Sequence, residues 1–264
     1  SKVTKYDNPN RTLTDPYEGQ QLGEIWGYVV DGYFKTDEEA RNYKVDQSFV
    51  NQMINASALD NGLHAGDLKF VDLDGNNKIE QTTSANDRKD MKVIGNSLPR
   101  YNYNFGISAD WYGIDFSVLF QGIGKQNWYP GAETSMFWGP YSRPYASFIP
   151  SDFMSQVWSE ENTDAYFPRP RGYVALGSNR ELAVVNTKYL QNLAYCRLKN
   201  LSIGYTLPNK WLSKIGFEKI RVYFSGENLL TFTKLHSDYI DPEQASASNS
   251  WKTSKSDANI YPWA

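Results

Sequence analysis

The chain has 264 residues, a formal net charge of −3 and a 15% share of aromatic residues, including 19 Tyr and 8 Trp. That length suffices for one large all-β domain or two smaller ones. The faintly acidic balance gives no basic face for nucleic acid, and the aromatic richness suits carbohydrate-facing proteins and membrane barrels.

One cysteine, Cys196, rules out an internal disulfide framework and reads as a small apolar strand residue; no Cys/His grouping suits zinc. No apolar run nears the roughly 20 residues of a spanning helix, which leaves crossing by half-polar strands open. The chain opens SKVTKYDNPN without a signal peptide, as expected of a mature form or an internal segment. Residues 1 to 20, with Asn8-Pro9-Asn10 and Asp15-Pro16, read as a loop. LGEIWGYVVDGYF, from Leu22 to Phe34, is a Gly-punctuated strand candidate with neither face cleanly polar. From Thr36 to Leu59 the pattern predicts one or two short helices. Thr36 is placed as N-cap, and Asp37, Glu38 and Glu39 lie where the helix dipole favours acids.

Residues 66 to 80, GDLKFVDLDGNNKIE, carry a motif with recognisable chemistry. Asp72, Asp74 and Asn76 stand at positions 1, 3 and 5 of a calcium-type loop, Lys78 offers its carbonyl at position 7, and Ile79 is the apolar anchor after it. Hard divalent cations want several oxygen ligands, and alternate positions on a tight turn aim short side chains at one centre. Position 6, usually Gly, is Asn77, which tolerates a left-handed backbone. Position 12 falls on Thr83, so Asp87 is the expected closing carboxylate, provided that residues 81 to 86 bulge outward. The ion, Ca2+ or Mg2+, would be structural, because no nucleophile or base is placed to use a metal-bound water. The competing reading is a polar Asp/Asn/Gly turn between strands.

From Tyr101 the residues alternate strictly, with Tyr101, Tyr103, Phe105, Ile107, Ala109 and Trp111 on one face and Asn102, Asn104, Gly106, Ser108 and Asp110 on the other. After Tyr112-Gly113 the pattern resumes with Ile114, Phe116, Val118 and Phe120, predicting an antiparallel hairpin over 100–111 and 114–121. Such a hairpin serves a soluble sandwich, with its apolar face inward, or an outer-membrane barrel, with that face against lipid. Aromatics at the strand ends and aliphatics between them favour the barrel.

A long irregular stretch, 122 to about 188, follows, with a short capped helix expected over 151–158. Its aromatics Trp128, Tyr129, Phe137, Trp138, Tyr141 and Tyr145 are expected to be exposed, to stack on sugar rings or line a partner interface; packing within the loop is the alternative. Further strands are expected at 195–207 and 217–229, joined by an amphipathic connector over 208–216. Links at 112–113 and 208–216 are brief, whereas 35–98, 122–190 and 230–259 are extended. Outer-membrane barrels show that asymmetry, and a sandwich has no reason for it.

Neither His64 nor His236 falls in a catalytic pattern, and no GxSxG, Walker or GxGxxG sequence is present. Asp and Glu are plentiful, but nothing marks one glycosidase-like pair over another, and the chain reads as a non-enzyme.

The stretches EGQQLGEIWGYVVDGYF (18–34), GDLKFVDLDGNNKIE (66–80), 87–128 and 189–235, in that order, resemble the C-terminal part of SusC/RagA-type TonB-dependent outer-membrane transporters. The resemblance implies an all-β fold, the C-terminal segment of a large antiparallel transmembrane β-barrel, with extracellular loops at 35–98 and 122–190. It covers no plug, no earlier strands and no final strand. It also implies energised uptake of an oligosaccharide or peptide, with a SusD-like lipoprotein, TonB and outer-membrane lipid as partners and no nucleic acid. The rival reading is a secreted, calcium-stabilised β-sandwich that binds carbohydrate.

Overall fold

The computed structural model describes residues 1–51, 62–132, 134–142, 149–170, 175–177 and 180–248. In chain order the described elements are β1 (Glu24–Tyr28), β2 (Val30–Tyr33), α1 (Asp37–Arg41), β3 (Leu68–Phe70), β4 (Met91–Asn96), β5 (Arg100–Trp111), β6 (Ile114–Lys125), β7 (Asn127–Trp128), α2 (Ser135–Trp138), β8 (Gln191–Asn192), β9 (Tyr195–Thr206), α3 (Asn209–Leu212), β10 (Arg221–Thr233) and α4 (Pro242–Ser248). They fall into two units. One comprises 99–126 and 192–235; the other gathers 1–98, 127–191 and 236–264.

The first unit is one four-stranded antiparallel sheet in the order β5-β6-β9-β10. Its strands are 12 or 13 residues long, about twice an ordinary strand, and form because apolar and polar residues alternate along them, with one change of phase in β9. Trp111 pairs with Ile114 across the two-residue turn Tyr112-Gly113, whose φ values of +48° and +86° are those of the I′ turn that matches strand twist. β9 and β10 are joined by α3 and a 3-10 turn over Ser213–Ile215, closed by Gly216 in the left-handed region at φ +75°. Both brief links sit at the end where Trp111, Ile114, Thr206 and Arg221 meet, and every long connection leaves from the opposite end, where Arg100 pairs with Lys125 and Tyr195 with Thr233.

The second unit is built from the long connections. β1 pairs with β4 and β2 with β3. The single strand expected over 22–34 is therefore two, because the chain breaks at Val29 and the halves take different partners. α1 starts where expected: Thr36 accepts the Glu39 N–H at 3.1 Å, and three acids occupy its first turn. The later part of that stretch, 52–61, lies outside the described residues. The helix expected over 151–158 is a single 3-10 turn, Phe153–Gln156, with no side-chain cap; Phe153 and, just after the turn, Val157 are buried, while Met154 is exposed.

An aromatic cluster holds the second unit together. Trp138 and Tyr189 meet edge to face with centroids 5.1 Å apart, Phe167 stacks on Phe153 at 5.0 Å, and Tyr33 shares a 2.9 Å phenol–phenol hydrogen bond with Tyr189. Such pairs add about 0.5–1.5 kcal/mol beyond area burial.

The turn gives a direct test. A Cβ at Gly113 would stand 2.8 Å from the Thr206 carbonyl, on a backbone that already disfavours side chains. Gly113→Val is expected to cost about 1–3 kcal/mol in chemical denaturation. Gly131→Ala, where nothing lies within 4 Å, should be nearly neutral.

Candidate lipid-facing sheet and cation loop

The register of the sheet sorts its side chains into two faces. On one, Trp111-Ile114-Tyr205-Val222, Ala109-Phe116-Ile203-Phe224 and Phe105-Phe120-Leu198-Leu230 form cross-strand rows, and Phe105 stacks on Phe120 at 5.0 Å. On the other, Ser108, Ser117, Ser202 and Ser225 make a four-strand serine row, followed by Gly106-Leu119-Asn200-Glu227 and then Asn104-Gln121-Arg197-Thr231. Continuity of the apolar face depends on a bulge. Leu119 and Phe120 face Asn200 and Leu198, which leaves Lys199 as an extra residue in β9. That residue shifts the phase, so Leu198 and Cys196 join the face of Leu201, Ile203 and Tyr205.

This apolar face is uncovered. Phe105 is 50% exposed, Ile107 59%, Val222 65%, Phe224 58% and Phe232 63%, whereas Val118 and Leu198, on the two inner strands, are buried. A sandwich reading requires Phe105, Ile107, Phe116, Val118, Ile203 and Phe224 to be buried together; Val118 is buried and Phe116 partly so, but Phe105, Ile107, Ile203 and Phe224 are exposed. Exposed rings gather at the brief-link end, where Trp111, Tyr112, Trp211 and Phe217 lie.

The polar face has its own lock. Arg221 donates from Nε to Asp115 Oδ1 at 2.9 Å and from its terminal nitrogen to Oδ2 at 2.5 Å. Asp115 is on β6 and Arg221 on β10, so the bridge passes over β9 at Gly204. A Cβ there would stand 2.5 Å from the carboxylate and 2.6 Å from the guanidinium.

In the other unit, residues 72 to 90 form the motif loop. Asn77 adopts φ +61°, the left-handed geometry expected where Gly is usual. Asp72 accepts N–H bonds from Gly75 and Asn77, both at 2.7 Å, and the Asn76 side-chain oxygen accepts the Lys78 N–H at 2.7 Å. Ile79 is fully buried and its N–H reaches the Asp46 carbonyl, which anchors the loop. Three carboxylates, those of Asp72, Asp74 and Asp90, come within 4.8 Å of one another.

The third carboxylate differs from the one expected. Asp87 sits in an exposed turn, with its N–H on the Ser84 carbonyl, whereas Asp90 is buried and accepts the Leu73 and Glu80 N–H groups at 2.8 and 2.7 Å. Asp90 precedes Met91, the first residue of β4, so strand pairing fixes its position. Burial pushes the Asp90 carboxyl above the usual carboxylate range; the two N–H groups work against this, and the charges of Asp74 and Asp72 add to it. A cation among these oxygens would offset both the burial and the crowding of like charge, so the donor set fits a hard ion.

The loop aromatics expected to be exposed are mostly core. Trp128, Phe137, Trp138 and Tyr141 are buried, and Tyr129 is partly buried. Their polar atoms are spent inside: the Trp138 indole N–H on the Gly131 carbonyl at 2.9 Å, the Tyr141 hydroxyl on Pro168 at 2.5 Å and the Tyr129 hydroxyl on Leu182 at 2.8 Å. The four buried rings offer no stacking face. Tyr145 lies outside the described residues.

No protein-family model matches the chain. It is 30% identical over 228 residues to TonB-dependent receptor P3 of Formosa agariphila, an alignment covering 86% of this chain and 19% of that protein. It is 27% identical over 241 residues to TonB-dependent receptor P39 of the same organism, covering 82% of this chain and 22% of the relative. The chain thus spans about a fifth of the length of the curated relatives it matches. Among solved structures, the RagAB peptide transporter aligns with 88% of this chain and 21% of its own, at 18% identity and a TM-score of 0.47.

The two aspartates can be told apart experimentally. Asp90→Ala is expected to strip two N–H groups of their acceptor and increase proteolytic cleavage between 71 and 90. Asp87→Ala should leave the cleavage pattern unchanged.

Proposed function

We propose that this chain, which belongs to the TonB-dependent receptors of the bacterial outer membrane, supplies four neighbouring strands of a transmembrane β-barrel together with long connections on the outer surface. The observation that carries the reading is the uncovered apolar face. Twelve residues extend about 40 Å, and at a tilt of about 40° they rise about 30 Å, the thickness of the hydrocarbon layer. One face then meets lipid and the serine and amide face meets the barrel interior. The exposed rings at the brief-link end suit the periplasmic interface.

The intact receptor, of the SusC/RagA type that the motifs resemble, would take up a glycan or peptide nutrient under a SusD-like surface lipoprotein, driven through TonB, with no covalent chemistry. The edges of β5 and β10 would be paired by neighbouring strands of the same barrel, since lipid does not tolerate unpaired edges. We also propose that Asp72, Asp74, Asn76 and Asp90, with the Lys78 carbonyl, hold a structural Ca2+ or Mg2+. The donor chemistry and the crowding of three carboxylates around one point support it.

Two measurements test these readings. In the intact receptor refolded into lipid, Ile107→Arg should lower stability by about 2–4 kcal/mol, the cost of a midplane cation on a lipid face. Ser108→Arg, one residue along but facing inward, should cost much less; equal costs would end the barrel reading. For the ion, a chelator should increase protease cleavage of residues 66 to 94 in wild type. Asp74→Ala should show the same cleavage with or without chelator.

A further inference from the structure

A cleft of about 360 Å³ in the second unit opens beside Tyr33, between β2, β3, α1 and the segments around Asp164 and Lys188. Its charged groups are unequally committed. Lys69 sits between Asp31 and Glu39, with Nζ–O distances of 3.4 and 3.2 Å, so the acids on that wall are already engaged. Lys188 differs: its half-buried ammonium donates to the Ala165 carbonyl at 3.2 Å and lies 4.3 Å from the centre of the Tyr33 ring. Among the described residues, neither Lys188 nor Lys35 makes an ion pair.

An ammonium has three N–H groups. In Lys188 one is spent on a carbonyl, while the rings of Tyr33 and, more distantly, Tyr166 at 5.9 Å face the charge without accepting a conventional hydrogen bond, which leaves donor capacity for the cleft. Burial weakens this ammonium's hold on its proton, and the charge of Asp164 works the other way. A charge taken partly out of water gains most from an anion brought to it. Thr163 and Asp164, also in the lining, supply acceptors for a donor beside that anion.

We infer that this cleft is a binding site for a carboxylate group carried next to a hydrogen-bond donor, with the Lys188 ammonium as its anchor. Both a peptide C-terminus and a uronic acid present that chemistry. The place of such a ligand in uptake rests on the importer reading; the binding itself does not.

The test is calorimetric titration of the intact receptor in detergent with triglycine and with digalacturonate, each against the counterpart whose carboxylate is capped, triglycine amide and the methyl-esterified disaccharide. At least one carboxylate probe is expected to bind, and which one does identifies the source. Capping the carboxylate should weaken binding at least about tenfold, the worth of one charge-assisted hydrogen bond. Lys188→Met should lose as much, while Lys188→Arg keeps a measurable part. The inference is overturned if neither carboxylate probe binds, if capped probes bind equally, or if Lys188→Met binds like wild type. Electrophoretic mobility without boiling reports the folded barrel in every sample. Its absence from wild type would sink the barrel reading and leave the titration to judge the cleft. Where Lys188→Met lacks it, the capped probes and Lys188→Arg decide.

Discussion

The sheet depends on its register. With a side-chain period of two, sliding any strand by one residue would send its aliphatic and aromatic side chains to the serine face and its amides to the apolar one. The pairing of Phe105 with Phe120, Phe116 with Ile203 and Ile203 with Phe224 is therefore what separates a surface suited to hydrocarbon from one suited to water. Two devices fix it. The two-residue turn at Tyr112-Gly113 locks β5 to β6, and the Asp115–Arg221 bridge ties β6 to β10 across the strand between them. Gly204 is the small residue that lets the bridge pass, so the sheet gains a cross-tie at the cost of a strand residue with no side chain to pack.

An apolar face that stays exposed is informative because soluble monomers rarely tolerate a contiguous one of this extent. Had the sheet belonged to a sandwich, the chain would need a second apolar sheet to lay against it. The remaining described strands are short, of two to six residues, and pair only in twos. The other unit buries its own aromatics around Trp138, Phe167 and Tyr189. Its apolar groups are spent on itself.

Much of the sheet was legible from alternation, because a period of two held over a dozen residues fits an extended strand and no helix. The hairpin, its turn, the connector to Gly216 and the Thr36 cap all stand where the residues put them. The bulge at Lys199 was not legible. An extra residue leaves only a change of phase, so Leu198 and Cys196 fall out of step with Leu201, Ile203 and Tyr205 and look unrelated to that face. The aromatics of 122–190 misled for a different reason: their composition is the same whether they pack a loop or coat its surface. The stronger signal was length. Only a connection with a core of its own holds so many residues in fixed positions, and a core needs large side chains.

The motif loop shows the same limit at the scale of one residue. Spacing located Asp72, Asp74, Asn76 and the left-handed Asn77, because a tight turn dictates alternate positions. The closing carboxylate is not set by the turn. Between Asp87 and Asp90 the choice falls to whichever lies next to a fixed element, and Asp90 abuts β4, which pairs with β1. Burying that carboxylate against two others is unfavourable in itself. The N–H bonds that it accepts from Leu73 and Glu80 keep it in place, so the loop is pre-formed with a crowding of carboxylates that a proton or a cation would relieve.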